Sequence, residues 1–352
     1  MTRRPAPRRA GFTLLELLLV VFLLAAVAAS AATLVDQVDL QGRHDLTRSR
    51  REQVRRAILG DPSRTVNGQP VVSGFVADMG RLPTSLRELL EPLDAAGSPL
   101  AAWSHDAARG VGAGWRGPYV QGAELERFEG LGLGGLPSAR ESPALRDGWG
   151  TRRAGPDPLI TGSLADLDFA QCGWDFRPDF VAAGDVWLAS LGRDGARDAV
   201  APPAEAVDRD TPSLGALGDP PAPGTFEQLL LVRAADWRVP LAGWGARVTL
   251  RGTLPAGAAD VVLRLDRPLV GAAVAWAPLD STAVPAAAPA DIAAPLDLTF
   301  GAGEAPWGVR PLRVVVRDAD GDPLFESPWR AVVLVPRASA GLLDDGWEVQ
   351  LP

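Results

Sequence analysis

Residues 11–35 read GFTLLELLLVVFLLAAVAASAATLV, and this stretch decides the architecture of the N-terminal part of the chain. The 21 residues from 12 to 32 are apolar or small apart from Thr13, Glu16 and Ser30. At 1.5 Å per residue, a helix of this length is about 30 Å long, which matches the hydrocarbon thickness of a bilayer. The sequence therefore predicts a single membrane-spanning helix that contains one ionisable residue, Glu16.

The flanking charges predict the orientation of this helix. Four arginines and no acidic residue precede it, namely Arg3, Arg4, Arg8 and Arg9. The positive-inside rule then places the N-terminus in the cytoplasm and the rest of the chain in the periplasm. Arginines from residue 43 onward favour the opposite orientation, but most of them lie beyond the immediate flank. A secretory signal peptide is the alternative, although its apolar core is usually only about 7–15 residues long and rarely holds a charge.

The hexapeptide Gly11-Phe12-Thr13-Leu14-Leu15-Glu16 resembles the leader of type IV prepilins. In that family a membrane aspartyl peptidase cuts after the glycine and methylates the new N-terminal residue. The resemblance implies that residues 1–11 are a cleaved basic leader and that Phe12 becomes the methylated N-terminus. Glu16 would then be the fifth residue of the mature chain.

Glu16 needs a compensating partner, because a carboxylate within an apolar span costs about 2.5–3.5 kcal/mol on insertion scales. The free amine of Phe12 would be a second unpaired charge at the top of the same helix. When subunits stack with an axial offset, the carboxylate of one subunit can meet the amine of its neighbour. We therefore expect Gly11 and Phe12 to act in processing and Glu16 in assembly.

Composition excludes several classes of function. The only cysteine is Cys172, which is expected to be a buried apolar residue, and the only histidines are His44 and His105. No disulfide can form within the chain, and a histidine-based catalytic or zinc centre has almost no residues to use. No nucleophile-elbow, zinc-protease or phosphate-loop motif occurs, so we predict that the protein is not an enzyme.

Charge argues against a nucleic-acid partner. The first 60 residues hold ten arginines and five acidic residues, a net charge of +5. The total net charge is −8, so the remaining residues carry −13. An acidic body of this kind would repel the phosphates of DNA or RNA.

Helical periodicity continues beyond the apolar stretch, and Asp61-Pro62 ends it. We predict one helix over residues 12–60, whose outer half must pack on a domain or on sister helices because it is sparsely apolar. A short helix opened by Pro83 follows, in which Ser85 and Glu88 have the spacing of a capping box.

Three later motifs occur in a characteristic order: WRGPY at 115–119, DGWG at 147–150 and VWLASLGRDG at 186–195. After such a leader, they resemble the globular domain of pseudopilins, especially the major pseudopilin of type II secretion, over about residues 11–200. The resemblance implies an α+β, pilin-like domain at 61–199, with the long helix packed on a small antiparallel sheet. Trp115, Tyr119 and Trp149 are expected to be packing anchors of that sheet.

In the pseudopilin family the last of these loops often binds calcium. The acidic side chains available at 190–210 are Asp194, Asp198, Asp208 and Asp210, and carboxylate oxygens are suitable calcium ligands. However, the glycine-rich continuation typical of the family is replaced here by ARDAVAPPAEAVDRDTP. A solvated acidic loop is therefore the favoured interpretation, and no cofactor is expected to be required.

The C-terminal part has a different pattern. Residues 200–224 are rich in Pro, Ala and Gly and predict a linker. Seven short alternating runs follow at 225–352, the first of them FEQLLLVRA, and they predict an all-β, immunoglobulin-like sandwich. Within it, the acidic run DADGD at 318–322 is expected to be a hairpin turn rather than a calcium loop.

Two functions follow from these expectations. The first is a structural subunit, expected to be a minor one, that a prepilin peptidase processes and that assembles into a type II secretion pseudopilus or a type IV pilus. Its expected partners are the peptidase, other pilin or pseudopilin subunits, the inner-membrane assembly platform and membrane lipid. The second is a single-span protein of the inner membrane whose C-terminal sandwich binds a carbohydrate or protein ligand.

Overall fold

The computed structural model describes residues 14–61, 64–121, 124–129, 139–150, 172–179, 182–192, 228–286, 295–336 and 342–352. The fold is α+β, with a long N-terminal helix and a largely β C-terminal region. The predicted leader at 1–11 and linker at 200–224 lie outside the described residues.

Helix α1 comprises Leu14–Leu59, 46 residues that are about 70 Å long at the α-helical rise. It ends where Gly60 adopts a left-handed conformation, with φ of +69°. A side chain on Gly60 would overlap the carbonyl oxygen of Ser73, so this turn also brings the chain back against the helix. The predicted helix over 12–60 is confirmed from residue 14 to residue 59.

The predicted membrane span at 12–32 is not established by the fold. Its first two residues lie outside the described part of the chain. Among the helices that the structure describes, none has both the length and the apolar character needed to cross a membrane.

The head follows α1 and is built from short elements. Helix α2 is Phe75–Met79, and a 3₁₀ turn covers Leu86–Leu89. Its strands are β1 (Thr65–Val66), β2 (Gln69–Pro70), β3 (Ser104–Asp106), β4 (Val111–Ala113), β5 (Glu124–Glu129), β6 (Ala139–Ala144), β7 (Trp174–Pro178), β8 (Val186–Ser190) and β9 (Gln228–Val232). The first six form three two-stranded hairpins, and β7, β8 and β9 form a three-stranded antiparallel sheet. Both α2 and β9 contact α1.

The capping box predicted for the segment after Pro83 is wrong. Ser85 makes no side-chain capping bond, and the segment is a single 3₁₀ turn rather than a helix. The Glu88 carboxylate accepts hydrogen bonds from the backbone nitrogen and the hydroxyl of Thr84 and from the guanidinium of Arg81, at 2.7 Å. Because Glu88 is fully buried, these bonds outweigh the local capping preference.

Strand β9 is placed differently from the sequence-based prediction. FEQLLLVRA was assigned to the C-terminal sandwich, but β9 pairs with β8, with Leu188 opposite Leu230. The strand therefore completes a sheet that begins before residue 200, and its assignment to the sandwich is wrong. Pairing between strands far apart in sequence leaves no trace in the local alternation pattern.

The C-terminal region begins with helix α3 (Ala234–Trp237). The strands after it are β10 (Arg238–Pro240), β11 (Gly245–Arg251), β12 (Asp260–Val270), β13 (Val274–Asp280), β14 (Val284–Pro285), β15 (Leu296–Thr299), β16 (Glu304–Pro306), β17 (Gly308–Arg317), β18 (Pro323–Glu326), β19 (Arg330–Leu334) and β20 (Leu342–Gln350). One sheet has the order β13-β12-β17-β18, with β14 also paired to β12 and β19 to β17. A second has the order β15-β11-β20, in which β11 and β20 are parallel, and β10 pairs with β16.

One face of β12 is buried as the alternation in the sequence predicts, and Val262 on its other face is also fully buried. Val261, Leu263 and Leu265 of β12 are fully buried and belong to one hydrophobic cluster with Val248 and Leu250 of β11. The same cluster continues into the head through α2. The C-terminal strands therefore share a core with the head in the described part of the chain.

The acidic run at 318–322 forms the turn between β17 and β18. Asp318 Oδ1 accepts hydrogen bonds from the backbone nitrogens of Asp320, at 3.0 Å, and Asp322, at 2.9 Å. These two bonds to the Asp318 side chain close the turn. The predicted hairpin turn is confirmed.

Candidate functional site

The N-terminal half of α1 is apolar and exposed. Its large apolar side chains between Leu14 and Val27 are 47–83% exposed. Glu16 lies in the first turn among these side chains and is itself exposed. Gly11 and Phe12, the predicted processing residues, lie outside the described residues. An apolar surface of this length is stable only against lipid or against other apolar helices.

The C-terminal half of α1 is covered by the head, and the change occurs within a few turns. Val38 is 72% exposed and Leu46 is 44% exposed, whereas Val54 and Ile58 are fully buried. Among the described contacts, the head meets the helix from Arg43 onward, where Arg43 Nη1 donates to the carbonyl of Trp149 at 3.5 Å.

The DGWG turn at 147–150 packs directly against α1. The backbone nitrogen of Gly148 donates a hydrogen bond to Thr47 Oγ1 at 2.9 Å, and Thr47 donates to the carbonyl of Arg43 at 2.9 Å. A Cβ at Gly148 would overlap the Arg43 carbonyl oxygen and lie 2.7 Å from Thr47 Oγ1. Arg50 adds a hydrogen bond from Nη1 to the carbonyl of Arg146 at 2.6 Å. Glycine is therefore required at 148 because the backbone touches the helix.

Asp147 connects this turn to the three-stranded sheet. Its Oδ1 accepts hydrogen bonds from the backbone nitrogens of Trp149 and Gly150, at 3.1 and 2.9 Å. Its Oδ2 accepts one from the hydroxyl of Ser190, at 2.8 Å, on β8. Burial raises the pKa of Asp147 from 3.8 to about 6, and the hydrogen bonds from Ser190, Gly150 and Trp149 only partly oppose this rise. Asp147 therefore orders the motif that holds the head on the helix.

A second buried carboxyl, Asp78 of α2, organises the aromatic WRGPY segment. Tyr119 donates its hydroxyl proton to Asp78 Oδ2 at 3.1 Å, and Arg116 pairs with Asp78 at 3.0 Å. Burial raises the pKa of Asp78 to about 6, against the opposing effect of Arg116. Trp115 packs edge-on against Tyr119 and donates its ring N–H to the carbonyl of Glu88 at 2.7 Å. Trp115 and Tyr119 therefore pack within the head, but their partners lie on α2 and the 3₁₀ turn and not on the sheet that they were predicted to anchor.

Trp149 and Cys172 are also buried, at 6% and 1% exposure. Cys172 is a free cysteine and its carbonyl accepts a hydrogen bond from the backbone nitrogen of Asp147 at 2.9 Å. Both residues occupy the core position that the sequence analysis assigned to them.

Arg310 of β17 joins the C-terminal region to the head. Its guanidinium is fully buried and donates hydrogen bonds to four carbonyl oxygens, those of Ala77 (3.1 Å), Pro306 (3.0 Å), Trp307 (2.6 Å) and Val309 (3.0 Å). Burial lowers the pKa of Arg310 to about 9, and the charge of Asp78 opposes this change. The carbonyl of Ala77 belongs to α2, so this residue bridges the two regions.

Sequence reasoning did not identify Asp78, Asp147 or Arg310 as organising residues. The sequence did contain one signal for Arg310. It lies an even number of residues from Leu312, Val314 and Val316, so it is on the same buried face of β17. A charge at an inward-facing strand position requires buried hydrogen-bond partners. Those partners include Ala77, which no pattern in the sequence relates to residue 310.

The predicted calcium ligands Asp194, Asp198, Asp208 and Asp210 lie outside the described residues. Within the ranges that the structure describes, no three His, Cys, Asp or Glu side chains are grouped so that they could hold a metal ion. Calcium binding by the 190–210 loop therefore stays a prediction.

Comparison with known proteins identifies the N-terminal segment. The family described as the prokaryotic N-terminal methylation motif matches residues 6–32. No curated protein and no solved structure matches the chain. The matched residues include the hexapeptide at 11–16, the predicted cleavage point and the exposed start of α1. A leader of this type implies processing by a prepilin peptidase and an N-terminus anchored in the membrane, and the chain carries such a prepilin-type leader.

Proposed function

We propose that the protein is a pilin-like structural subunit. A prepilin peptidase cleaves it after Gly11, methylates Phe12 and leaves Glu16 available to a neighbouring subunit. The mature chain assembles through the N-terminal half of α1 into a type II secretion pseudopilus or a type IV pilus. Its role is mechanical and needs no catalytic centre and no cofactor.

One observation carries this proposal: the methylation motif continues directly into a helix whose first half has no covering in the described part of the chain. The apolar side chains from Leu14 to Val27 remain exposed while the rest of the helix is held by the head. A membrane stores such a helix before assembly, and sister helices cover it afterwards. The same apolar surface therefore contacts lipid before assembly and sister helices after it.

The head and the C-terminal region suggest a minor subunit with a pseudopilin-like head. The proposed topology is a single pass through the inner membrane, with the leader in the cytoplasm and residues beyond the span in the periplasm. The C-terminal strands add a large body, which we interpret as an immunoglobulin-like sandwich. A repeating filament shaft packs more easily from compact heads, so this body favours a position at the filament tip.

The alternative is a membrane-anchored binding protein that rarely or never enters a filament. Its ligand, a carbohydrate or a protein, would be held by the C-terminal strands. The size of the C-terminal region is the observation that favours it. The two functions differ in whether Glu16 is required for activity, since an anchored binding protein has no neighbouring amine to pair with.

Intact mass of the protein from cells that contain a prepilin peptidase tests the proposal. The mature chain should begin at Phe12 and carry one added methyl group. Gly11→Val should leave all of the protein as precursor, because the peptidase requires a very small residue at the scissile bond. Gly42→Val is a matched control, since nothing lies within 4 Å of a Cβ at Gly42, and it should be processed normally. A mature N-terminus at Ala32 would contradict the proposal.

A further inference from the structure

A cleft of about 430 Å³ opens where the head meets the C-terminal strands. Its walls come from the end of α2 and from α3, β10, β12, β13 and β16, and include Gly80, Trp237, Arg238, Arg267, Leu279 and Glu304. This volume lies within the range of small-molecule sites, which is about 300–1,000 Å³. The cleft is far in sequence from the methylation motif, and assembly through α1 gives it no role.

The charges that line the cleft do not balance. Arg238 donates a hydrogen bond to Glu304 at 3.0 Å and lies over the ring of Trp237, 4.7 Å from its centroid, so this pair is satisfied. Arg267 is different. Its Nε is buried without a hydrogen-bond partner, and no ion pair to Arg267 occurs in the described ranges of the chain. One positive charge is therefore left over.

The position of Arg267 on β12 explains why the protein itself does not neutralise it. Successive side chains on a strand point to opposite faces, so the adjacent Asp266 faces away and pairs with Arg109 at 3.0 Å. The cross-strand neighbour of Arg267 on β13 is Ala277, which has no polar side chain. A guanidinium stays charged at all physiological pH values, and buried polar atoms in proteins nearly always have partners. Arg267 is half-buried, so water reaches part of its guanidinium, and an anion from outside the chain would supply the charged partner that the described residues do not.

The rest of the cleft defines what the anion is attached to. Leu279 and Pro306 provide aliphatic surface. Trp237 also lines the cleft, with Arg238 over one face of its ring and its N–H already donated to the carbonyl of Gly184 at 2.9 Å. A planar guanidinium fits a carboxylate with two parallel hydrogen bonds. We propose that this cleft binds an organic carboxylate with an apolar group next to it, either a free small acid or the C-terminal end of a polypeptide.

Calorimetric titration of the full-length protein in detergent tests this site. The probes are 3-phenylpropionate and N-acetyl-alanyl-phenylalanine, each beside its neutral amide. At least one acid should bind with a dissociation constant below about 1 mM, and its amide should bind at least about tenfold more weakly, because only the acid can pair with Arg267. Preference for the dipeptide would identify a polypeptide end as the natural ligand, and preference for the free acid would identify a small molecule.

Arg267→Met keeps the length of the side-chain stem and removes the charge, and it should weaken acid binding at least about tenfold. Its thermal midpoint should be unchanged or higher, since no hydrogen bond within the described protein is lost. Arg247→Met, which breaks the Arg247–Asp297 pair of 2.7 Å outside the cleft, should bind like the unaltered protein. The site would be disproved if neither acid binds, if acid and amide bind equally, or if Arg267→Met still binds normally. A lowered thermal midpoint for Arg267→Met would show that the residue is structural instead.

Discussion

The two halves of α1 belong to one continuous helix but have opposite surroundings. From Leu14 to Val27 the large apolar side chains are exposed, whereas Val54 and Ile58 are fully buried under the head. The first half is strongly apolar and the second carries many charges, yet it is the second half that the head covers. Burial along this helix therefore follows the position of the head and not the local hydropathy.

The difference shows where each half finds its partners. The second half uses partners inside the chain, such as Gly148 on Thr47 and Arg50 on Arg146. The first half must find its partners outside the chain, and we infer that these are lipid and neighbouring subunits. Substitutions in the first half should therefore change assembly and leave folding intact, and substitutions around the head should do the reverse.

The largest effect is expected for Glu16→Leu, which should abolish or misregister filament assembly. The change makes the helix more apolar, so membrane insertion and cleavage after Gly11 should proceed, but the amine of the neighbouring subunit loses its partner. Filament recovery, intact mass and thermal melting should be measured on the same protein. Glu52→Leu, on the second half of α1, is the matched control and should assemble. Normal incorporation of Glu16→Leu would contradict the pairing role.

Arg310→Met should have the largest effect on folding, a loss of about 3 kcal/mol or more in the free energy of unfolding. Four carbonyl oxygens lose a buried donor, and each unsatisfied group costs about 1–3 kcal/mol, which the removal of a buried charge only partly offsets. Denaturant titration measures the loss. Arg251→Met, which removes an exposed pair with Glu348, should cost less than about 1 kcal/mol. Equal effects of the two variants would show that Arg310 does not hold the regions together.

Gly148→Ala tests the contact between the head and the second half of α1. The added methyl would overlap the carbonyl oxygen of Arg43, so the turn must move away from the helix at a cost of about 2–3 kcal/mol. Gly42→Ala, in the same helix with no atom within 4 Å of the new methyl, should instead stabilise it by about 0.5–1 kcal/mol. Opposite signs in denaturant titration are the expected result. If Gly42→Ala also lowered the free energy of unfolding, helix propensity would not determine the effect of a substitution at position 42.

The smallest effect is a pH dependence from Asp147. Its pKa is about 6 in the folded protein and 3.8 without the fold, so between these values the folded state binds more protons than the unfolded state. Its contribution to stability is complete below about pH 4 and is lost as the pH rises through 6. Asp147→Asn removes this titration. The quantity to compare is the free energy of unfolding of Asp147→Asn minus that of the unaltered protein. This difference should be about 2 kcal/mol larger at pH 7.5 than at pH 4.5. A constant difference across that range would show that the pKa of Asp147 is not raised.

The N-terminal segment that holds the methylation motif and α1 was predictable because its signals are local. The apolar run, the charge at residue 16 and the hexapeptide at 11–16 predicted both the helix and the methylation motif, since these depend only on neighbouring residues. The packing roles of Trp115, Tyr119 and Cys172 also followed from residue type. The turn at 318–322 followed from its composition.

The organisation of the head and the C-terminal region required the tertiary structure. Local alternation predicts that β9 is a strand but not that β8 is its partner, and β20 pairs in parallel with β11 almost a hundred residues earlier. The sequence shows Arg310 as a charge within an apolar run, whereas its partner Ala77 lies 233 residues away. Residue type and spacing determine which local structure is favoured. Which buried groups then satisfy one another is decided only when distant segments pack together, because the cost of burying a polar group depends on the partner that the fold brings to it.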